Sequence, residues 1–365
     1  MSAEATETLS GSAEKPTTVQ TETDLSLLYR VLRAVIKPLR PRLVKPPGKK
    51  KAPPAGSPRL LNRPRAKGQV QIRERLQDHS DVYLYDFVPD APRNIAIRPP
   101  STVLYFCGGG FQSPPAREHW SLVGKLANSC MLEHHFVLVS YGLAPASPAG
   151  ASLQQLHEML LPLLAEAAKK GERMTLMGDS AGGNVAASLA MWWAEYAVTL
   201  GDYKLRNVIQ NIVLISPAVD LRNCNPAMKD IDPLDPLLGE QYTGAVAEAW
   251  LKTPEDRPDL ALEADDPNVS PLLHEPIAFQ RLADLGIRVY GVYGTNDVLA
   301  PDAELFRHKC EENGVKGRWL VWIGQMHCFV LAGTYGMREG RKAIDWLVEV
   351  LKEVDDDPPS YSRRG

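Results

Sequence analysis

The sequence of 365 residues predicts an α/β fold, with a mostly parallel, eight-stranded sheet flanked by helices and covered by a helical cap. From residue 69, short apolar runs alternate with longer helical stretches, as in chains whose helices cover both faces of a parallel sheet. Residues 222–285 interrupt this alternation with an Asp- and Pro-rich stretch that holds one clear helix near 239–252. That interruption predicts a cap insertion within a domain spanning 69–353.

The predicted strands are short and rich in branched and aromatic residues. In chain order they are QVQIRERL, VYLYDFV, TVLYFC, HFVLVSY, RMTLMG, NIVLISP, IRVYGVYG and RWLVWI. The first two alternate polar and apolar residues, which favours an antiparallel edge. Helices are predicted around residues 116–130, 152–169, 181–199, 302–313 and 338–352.

The N-terminal part of the chain has a different character. Residues 1–23, like 354–365, are predicted to be disordered tails. Residues 24–37 have a helical period, with Asp24 as the expected cap and Pro38 as the expected end. The predicted apolar face consists of Leu25, Leu28, Leu32, Val35 and Ile36. We expect this segment to form part of the cap.

A basic, Pro-rich connector follows at residues 38–68. Between residues 25 and 67 there are thirteen Lys or Arg residues and no acidic residue. This charge is compatible with weak association with an anionic membrane surface, or with a nuclear address in KPPGKKK. A solvated flexible linker, with the helix packed on the domain, is the interpretation that we favour, because charge runs are usually solvated.

The composition is that of an ordinary globular protein, with 44% hydrophobic and 23% charged residues. The net charge of −3 argues against nucleic-acid binding. Five cysteines without CxxC spacing predict neither a disulfide framework nor a metal site, and we expect no cofactor. The N-terminus lacks an apolar targeting core, and no run is long enough for a membrane span. We therefore expect a cytoplasmic protein, peripheral to a membrane if the basic segment binds one.

The segment Gly178-Asp179-Ser180-Ala181-Gly182 fits the pattern G-x-S-x-G. It lies between the predicted strand RMTLM and an Ala-rich helix, where a sharp turn would raise the Ser180 hydroxyl above the sheet edge. There the helix N-terminus favours developing negative charge. This context predicts that Ser180 is a nucleophile.

A serine nucleophile needs a base and an orienting carboxylate, which follow it in the chain in this type of site. Asp297 follows IRVYGVYG, and His327 follows RWLVWI. Among eight histidines, only His327 is both late in the chain and directly after a strand. Asp302 is the rival acid, but its position after Pro301 is typical of a helix start.

The segment Cys107-Gly108-Gly109-Gly110-Phe111 follows another strand. Its glycines permit the unusual backbone angles that direct N–H groups into a cavity. Such groups, with the Ala181 N–H, would stabilise the oxyanion of acyl transfer.

These motifs together resemble the hormone-sensitive-lipase-like branch of the α/β-hydrolase fold, over roughly residues 82–351. The matching segments are CGGGF, SYGLAPASP, GDSAGGN, LISPAVDL, DPNVSPLL, GTNDVLAPDA and GQMHCF. The resemblance implies a catalytic triad of Ser180, Asp297 and His327. It also implies oxyanion donors at Gly109, Gly110 and Ala181, with Gly108 completing the turn.

The sequence departs from the family pattern at two places. Cys107 stands where the family usually has a His that braces the glycine loop, so the rigidity of this loop is the open point. Ser140 and Gly142 stand where the family tends to have Asp and Arg, which removes an expected ion pair. We expect Cys107 to be a small buried side chain.

The expected activity is hydrolysis of small to medium hydrophobic carboxylic esters through an acyl-enzyme. The pocket is expected to be lined by Leu25, Leu28, Leu32, Leu237, Leu238, Trp250 and Leu251. Two alternatives remain: the same triad serving a lyase, cyclase or acyl-transfer reaction, and a ligand receptor without catalysis. A homo-oligomer is compatible with the sequence.

Overall fold

The computed structural model describes residues 17–40, 54–61, 64, 68–90 and 101–353. Its centre is a nine-stranded sheet in the order β1-β9-β8-β7-β6-β4-β5-β3-β2. The strands are β1 Thr17–Glu22, β2 Val70–Gln77, β3 Val82–Pro89, β4 Ser101–Phe106, β5 His134–Ser140, β6 Met174–Asp179, β7 Ile209–Ile215, β8 Arg288–Gly294 and β9 Gly317–Trp322. Strand β3 pairs antiparallel with β2 and β5, and the other pairs are parallel. The predicted mostly parallel sheet with an antiparallel edge is confirmed.

The prediction of eight strands is wrong by one. Strand β1 lies in the segment that was expected to be a disordered tail, and it pairs in parallel with β9 at the sheet edge. Its side chains are mostly exposed. The segment TTVQTE accordingly lacks the alternation of apolar and polar residues that would predict a strand. Residues 1–16 and 354–365, also predicted to be disordered, lie outside the described residues.

Helices cover both faces of the sheet. They are α1 Leu27–Ile36, α2 Arg117–Ser129, α3 Ala149–Lys170, α4 Ala181–Ala197, α5 Tyr203–Arg206, α6 Met228–Ile231, α7 Glu240–Leu251, α8 Pro276–Asp284, α9 Ala300–Glu312, α10 Phe329–Ala332 and α11 Arg338–Glu353. The core is divided by the sheet: Leu104 and Phe106 of β4 face α3 and α4, whereas Val103 and Tyr105 face α2 and α11. None of the helices in the described ranges is long and apolar enough to cross a membrane.

The cap is smaller than the predicted insertion of 222–285. Helix α8, at the end of this stretch, buries Phe279 and Leu282 in the core beside α4. It therefore serves as the crossover helix that a parallel connection between β7 and β8 requires. The residues of this stretch that lie next to Ser180 include Leu237 and Leu238, before α7, and Tyr242, Thr243 and Val246 of α7.

Helix α1 packs on the domain through only part of the predicted face, together with Tyr29. Its cap is Ser26, whose hydroxyl accepts from the Tyr29 N–H, and not Asp24. Tyr29 is buried, and Leu25 and Leu32 pack against the same cluster, but Leu28 and Val35 are exposed. Much of the basic connector, including 41–53, lies outside the described residues. Its described part contacts β5, where Ser140 Oγ donates to the Pro58 carbonyl at 2.7 Å.

Candidate active site

The Ser180 corner has the geometry that its motif predicts. Ser180 joins β6 to α4 with φ 52° and ψ −120°, which is strained for a residue with a side chain. A Cβ at Gly182 would lie 2.0 Å from the Phe106 carbonyl oxygen, so only glycine allows the helix to approach β4 this closely. The turn leaves Ser180 partly exposed at the start of α4.

The structure brings Ser180, His327 and Asp297 together. His327 Nε2 lies 2.9 Å from Ser180 Oγ, and His327 Nδ1 lies 2.9 Å from Asp297 Oδ2. Because a carboxylate only accepts, the Nδ1 atom carries the imidazole proton and Nε2 is free to accept from the serine hydroxyl. The other Asp297 oxygen accepts from the Leu299 N–H at 2.9 Å, which fixes the orientation of this carboxylate.

His327 is buried beside this carboxylate. Burial alone would lower the pKa of the imidazole, but the charge and hydrogen bond of Asp297 outweigh it. The pKa of His327 is therefore held well above its usual range. The rival acid Asp302 does not contact His327: its Oδ1 accepts from Asn225 Nδ2 at 2.7 Å.

A further carboxylate next to Asp297 was not predicted. Asp235 is fully buried and accepts from the backbone N–H groups of Leu237, Leu238 and Val298. Burial, with the charge of Asp297, raises the pKa of Asp235 to about 6. Asp235 thus connects the cap turn to the loop that carries Asp297, a contact for which the sequence has no signal.

The glycine loop adopts backbone angles that suit an oxyanion site. Gly109 has φ 130° and Gly110 has φ 59°, both in the region that favours glycine. Gly109, Gly110 and Ala181 line the same cavity as Ser180 and His327. The Gly108 N–H instead donates to Asp179 Oδ1 at 3.0 Å.

Asp179, the residue before the nucleophile, holds this loop in place. Besides Gly108, its carboxylate accepts from Tyr105 Oη at 2.8 Å and contacts His119 Nε2 at 3.1 Å. His119 Nδ1 accepts from the Ala116 N–H, so the proton is on Nε2 and is donated to Asp179. Burial would raise the pKa of Asp179, but these contacts outweigh it and lower the pKa.

Cys107 has the buried position that was expected for it. Only 2% of its surface is exposed, and burial raises the pKa of its thiol well above the usual range. Its carbonyl accepts from Tyr141 Oη at 2.7 Å. The loop is therefore held through its own backbone groups, by the side chains of Tyr141 and Asp179, without the His that the family usually has at position 107.

Above the nucleophile is a cavity of about 330 Å³. Its apolar lining includes Phe111, Leu221, Leu237, Leu238, Tyr242, Val246, Leu299 and Leu331. Of the seven residues expected in the lining, only Leu237 and Leu238 are found there. Trp250 stacks on Phe111, which lines the cavity. Leu25 and Leu32 pack against the core under α1, and Leu28 is exposed.

The fold and the grouping of these residues define the α/β-hydrolase class. Residues 103–331 match the model of a family described as alpha/beta hydrolase fold, and the chain belongs to this family. Within it, the chain belongs with the hormone-sensitive-lipase-like esterases.

The relatives include an esterase of Acinetobacter venetianus, 24% identical over 70% of this chain and 76% of the relative. Esterase LipU of Mycobacterium tuberculosis is 28% identical over 69% of this chain and 77% of its own length. Human hormone-sensitive lipase is 30% identical, but the match covers 39% of this chain and 13% of that enzyme.

Solved structures show the same fold. Carboxyl esterase 2 of the fungus Tuber melanosporum superposes with a TM-score of 0.69 at 18% identity, covering 91% of this chain and 99% of the other. A hormone-sensitive lipase from a metagenome library superposes with a TM-score of 0.61 at 20% identity, over 91% and 94% of the two chains.

Proposed function

We propose that this protein hydrolyses carboxylic esters of small to medium hydrophobic substrates through an acyl-enzyme on Ser180. The observation that carries the proposal is the relay from Ser180 Oγ to His327 to Asp297, with both contacts at 2.9 Å. Ser180 and His327 line an apolar cavity next to Gly109 and Gly110, whose φ angles lie in the region that favours glycine. The family supports the reaction class, since the named relatives are esterases and lipases.

In the first half-reaction, His327 Nε2 takes the Ser180 proton while Oγ attacks the ester carbonyl. The Asp297 carboxylate stabilises the imidazolium that forms. The N–H groups of Gly109, Gly110 and Ala181 stabilise the tetrahedral oxyanion. His327 then protonates the leaving alkoxide, and the C–O bond to the alcohol breaks.

In the second half-reaction, His327 removes a proton from water, which attacks the acyl carbon. Ser180 leaves with the returned proton, and a carboxylic acid is released. A cavity of about 330 Å³ is near the lower end of the range for small-molecule sites, so short acyl chains should react best.

The test combines ester hydrolysis with labelling by a fluorophosphonate. Ser180→Ala should abolish both, whereas Ser113→Ala, which changes another serine lining the cavity, should preserve both. Rates on p-nitrophenyl esters of graded chain length should fall as the acyl chain outgrows the cavity. Undiminished hydrolysis and labelling in Ser180→Ala would refute the proposal.

The two alternatives predict other results. A lyase, cyclase or acyltransferase would give products other than acid and alcohol in mass spectrometry. A receptor would bind an ester tightly without turnover. Neither is favoured: the relay of Ser180, His327 and Asp297 argues against a receptor, and the named relatives are esterases or lipases, which argues against the other reactions.

A further inference from the structure

The exposed face of helix α1 is apolar. Its most exposed side chains are Leu27 and Leu28, which are 78% and 62% exposed. The stripe continues at four-residue spacing through Val31 and Val35 of the helix to Leu39, in the turn that follows it. A solvated surface helix normally places such residues against the core, but here Tyr29 and Leu32 occupy that side.

The same helix is basic and carries no acid. Arg30 and Lys37 are exposed beside the apolar stripe. The sequence from 25 to 67 holds thirteen Lys or Arg residues and no Asp or Glu, in a chain whose net charge is −3. An apolar stripe flanked by cations is complementary to an anionic lipid surface, where apolar burial and charge attraction add.

The helix is also fixed next to the candidate active site. Tyr29 Oη donates to the Gly324 carbonyl at 2.9 Å, three residues before His327. At the other end, Arg40 Nη1 donates to the carbonyl oxygens of Asp232 and Asp235, in the turn that leads to the cavity lining. A surface bound by α1 would therefore lie near the cap and the loop of His327.

We propose that this face of α1 docks the protein on an anionic phospholipid surface. A second copy of the chain is a poorer occupant. The ten-residue helix is about 15 Å long and about 10 Å wide. Its face is thus a small fraction of the roughly 800 Å² per partner in a stable interface. A bilayer needs no such area, because the basic residues act alongside the apolar ones.

The test is sedimentation of the full chain with vesicles of phosphatidylcholine alone and of a phosphatidylcholine–phosphatidylserine mixture. Every protein carries Ser180→Ala, so that lipid hydrolysis cannot affect binding and the result is independent of the proposed esterase activity. We expect binding to the mixed vesicles, weakened by salt, and little binding to the neutral ones.

The double variant Leu28→Glu/Val35→Glu should weaken binding by at least about tenfold, because two apolar contacts are lost and two repulsive charges are added. The matched control is Leu132→Glu/Ile277→Glu, whose side chains are 62% and 52% exposed elsewhere on the surface. It should bind like the parent, and circular dichroism should show both variants folded. Equal binding by the two variants would overturn the proposal. So would self-association without vesicles that only Leu28→Glu/Val35→Glu abolishes.

Discussion

The rings of Phe111 and Trp250 stack with their centroids 4.5 Å apart and their planes 10° from parallel. Phe111 directly follows the glycines of the candidate oxyanion loop, and Trp250 belongs to cap helix α7. The rings of Tyr141 and Trp250 meet edge-on, with their centroids 6.5 Å apart. The cap is therefore packed directly against the candidate oxyanion loop, and we expect cap packing to influence the chemistry.

Shortening Trp250 should damage both stability and catalysis. Trp250→Ala leaves a cavity behind Phe111 and should cost about 3–5 kcal/mol of unfolding free energy, with a clear loss of kcat/KM. Trp250→Phe keeps a stacked ring, and the buried indole N–H has no hydrogen-bond partner to lose within the described structure. It should therefore lose much less than Trp250→Ala in urea unfolding and ester hydrolysis. Similar losses in both variants would contradict a role for the stack.

The sequence could predict that Ser180, Asp297 and His327 lie together because their signals are local: each follows a strand, and their order in the chain is distinctive. Asp235 and His119 were missed because their partners lie far away in sequence and neither stands in a recognisable pattern. Strand β1 was missed for a related reason, since it pairs with β9, whose residues lie 300 positions later in the chain. Helix α1 was predicted, but it has more apolar side chains than its packing face can bury. The helical period alone therefore could not indicate which of them contact the core.

The raised pKa of His327 sets the expected pH dependence of hydrolysis. The base acts only when unprotonated, so kcat/KM should rise with pH and level off above the ordinary range of a histidine. Asp297→Asn removes the charge that raises this pKa and the acceptor that fixes the tautomer. Its rising limb should move to lower pH, and its rate should fall by about 10⁴-fold.

The matched control for that experiment is Asp302→Asn. Asp302 is buried and its pKa is raised to about 6, mainly by burial, but it has no contact with His327. The pH at which kcat/KM rises should therefore be unchanged in Asp302→Asn. If Asp302→Asn shifted this pH and Asp297→Asn did not, Asp302 would be the carboxylate that acts on His327.

His119 should act as a positioning residue through Asp179. His119→Ala removes one donor from the buried carboxylate and the acceptor of the Ala116 N–H, which should cost about 1–3 kcal/mol. Because Asp179 also holds Gly108, we expect kcat to fall more than KM changes. His119→Gln can still donate to Asp179 and should restore part of kcat. A loss of stability with unchanged kcat would assign His119 a structural role only.

His157 should make stability depend on pH. It is stacked on Trp192 at 4.0 Å between ring centroids, and burial lowers its pKa from 6.5 to about 4. The unfolded chain thus binds the proton more readily between these values. The stabilisation is complete above about pH 6.5 and is lost as pH falls towards 4, by about 3 kcal/mol at most.

Urea unfolding at about pH 7.5 and about pH 5 measures this loss. His157→Phe keeps an aromatic ring against Trp192 but cannot be protonated, so it should lose less stability on acidification than the wild type. His308→Gln, which changes a half-exposed histidine on α9, should behave like the wild type. An equal loss in His157→Phe and the wild type would place the titrating group elsewhere.

Strand β1 should stabilise the domain although its side chains are mostly exposed. It covers the edge of β9 over six residues, Thr17 Oγ1 donates to the Val315 carbonyl at 2.9 Å, and the Ile323 N–H donates to the Glu22 carbonyl at 2.8 Å. Deletion of residues 1–22 leaves the β9 edge unpaired, which both weakens the sheet and invites pairing between molecules. Its melting temperature should fall by several degrees, since each kcal/mol lost moves it by about 2–4 °C in a domain of this size. Deletion of residues 1–16 keeps the strand and should melt like the full chain; equal melting of the two truncated proteins would mean that β1 does not stabilise the sheet.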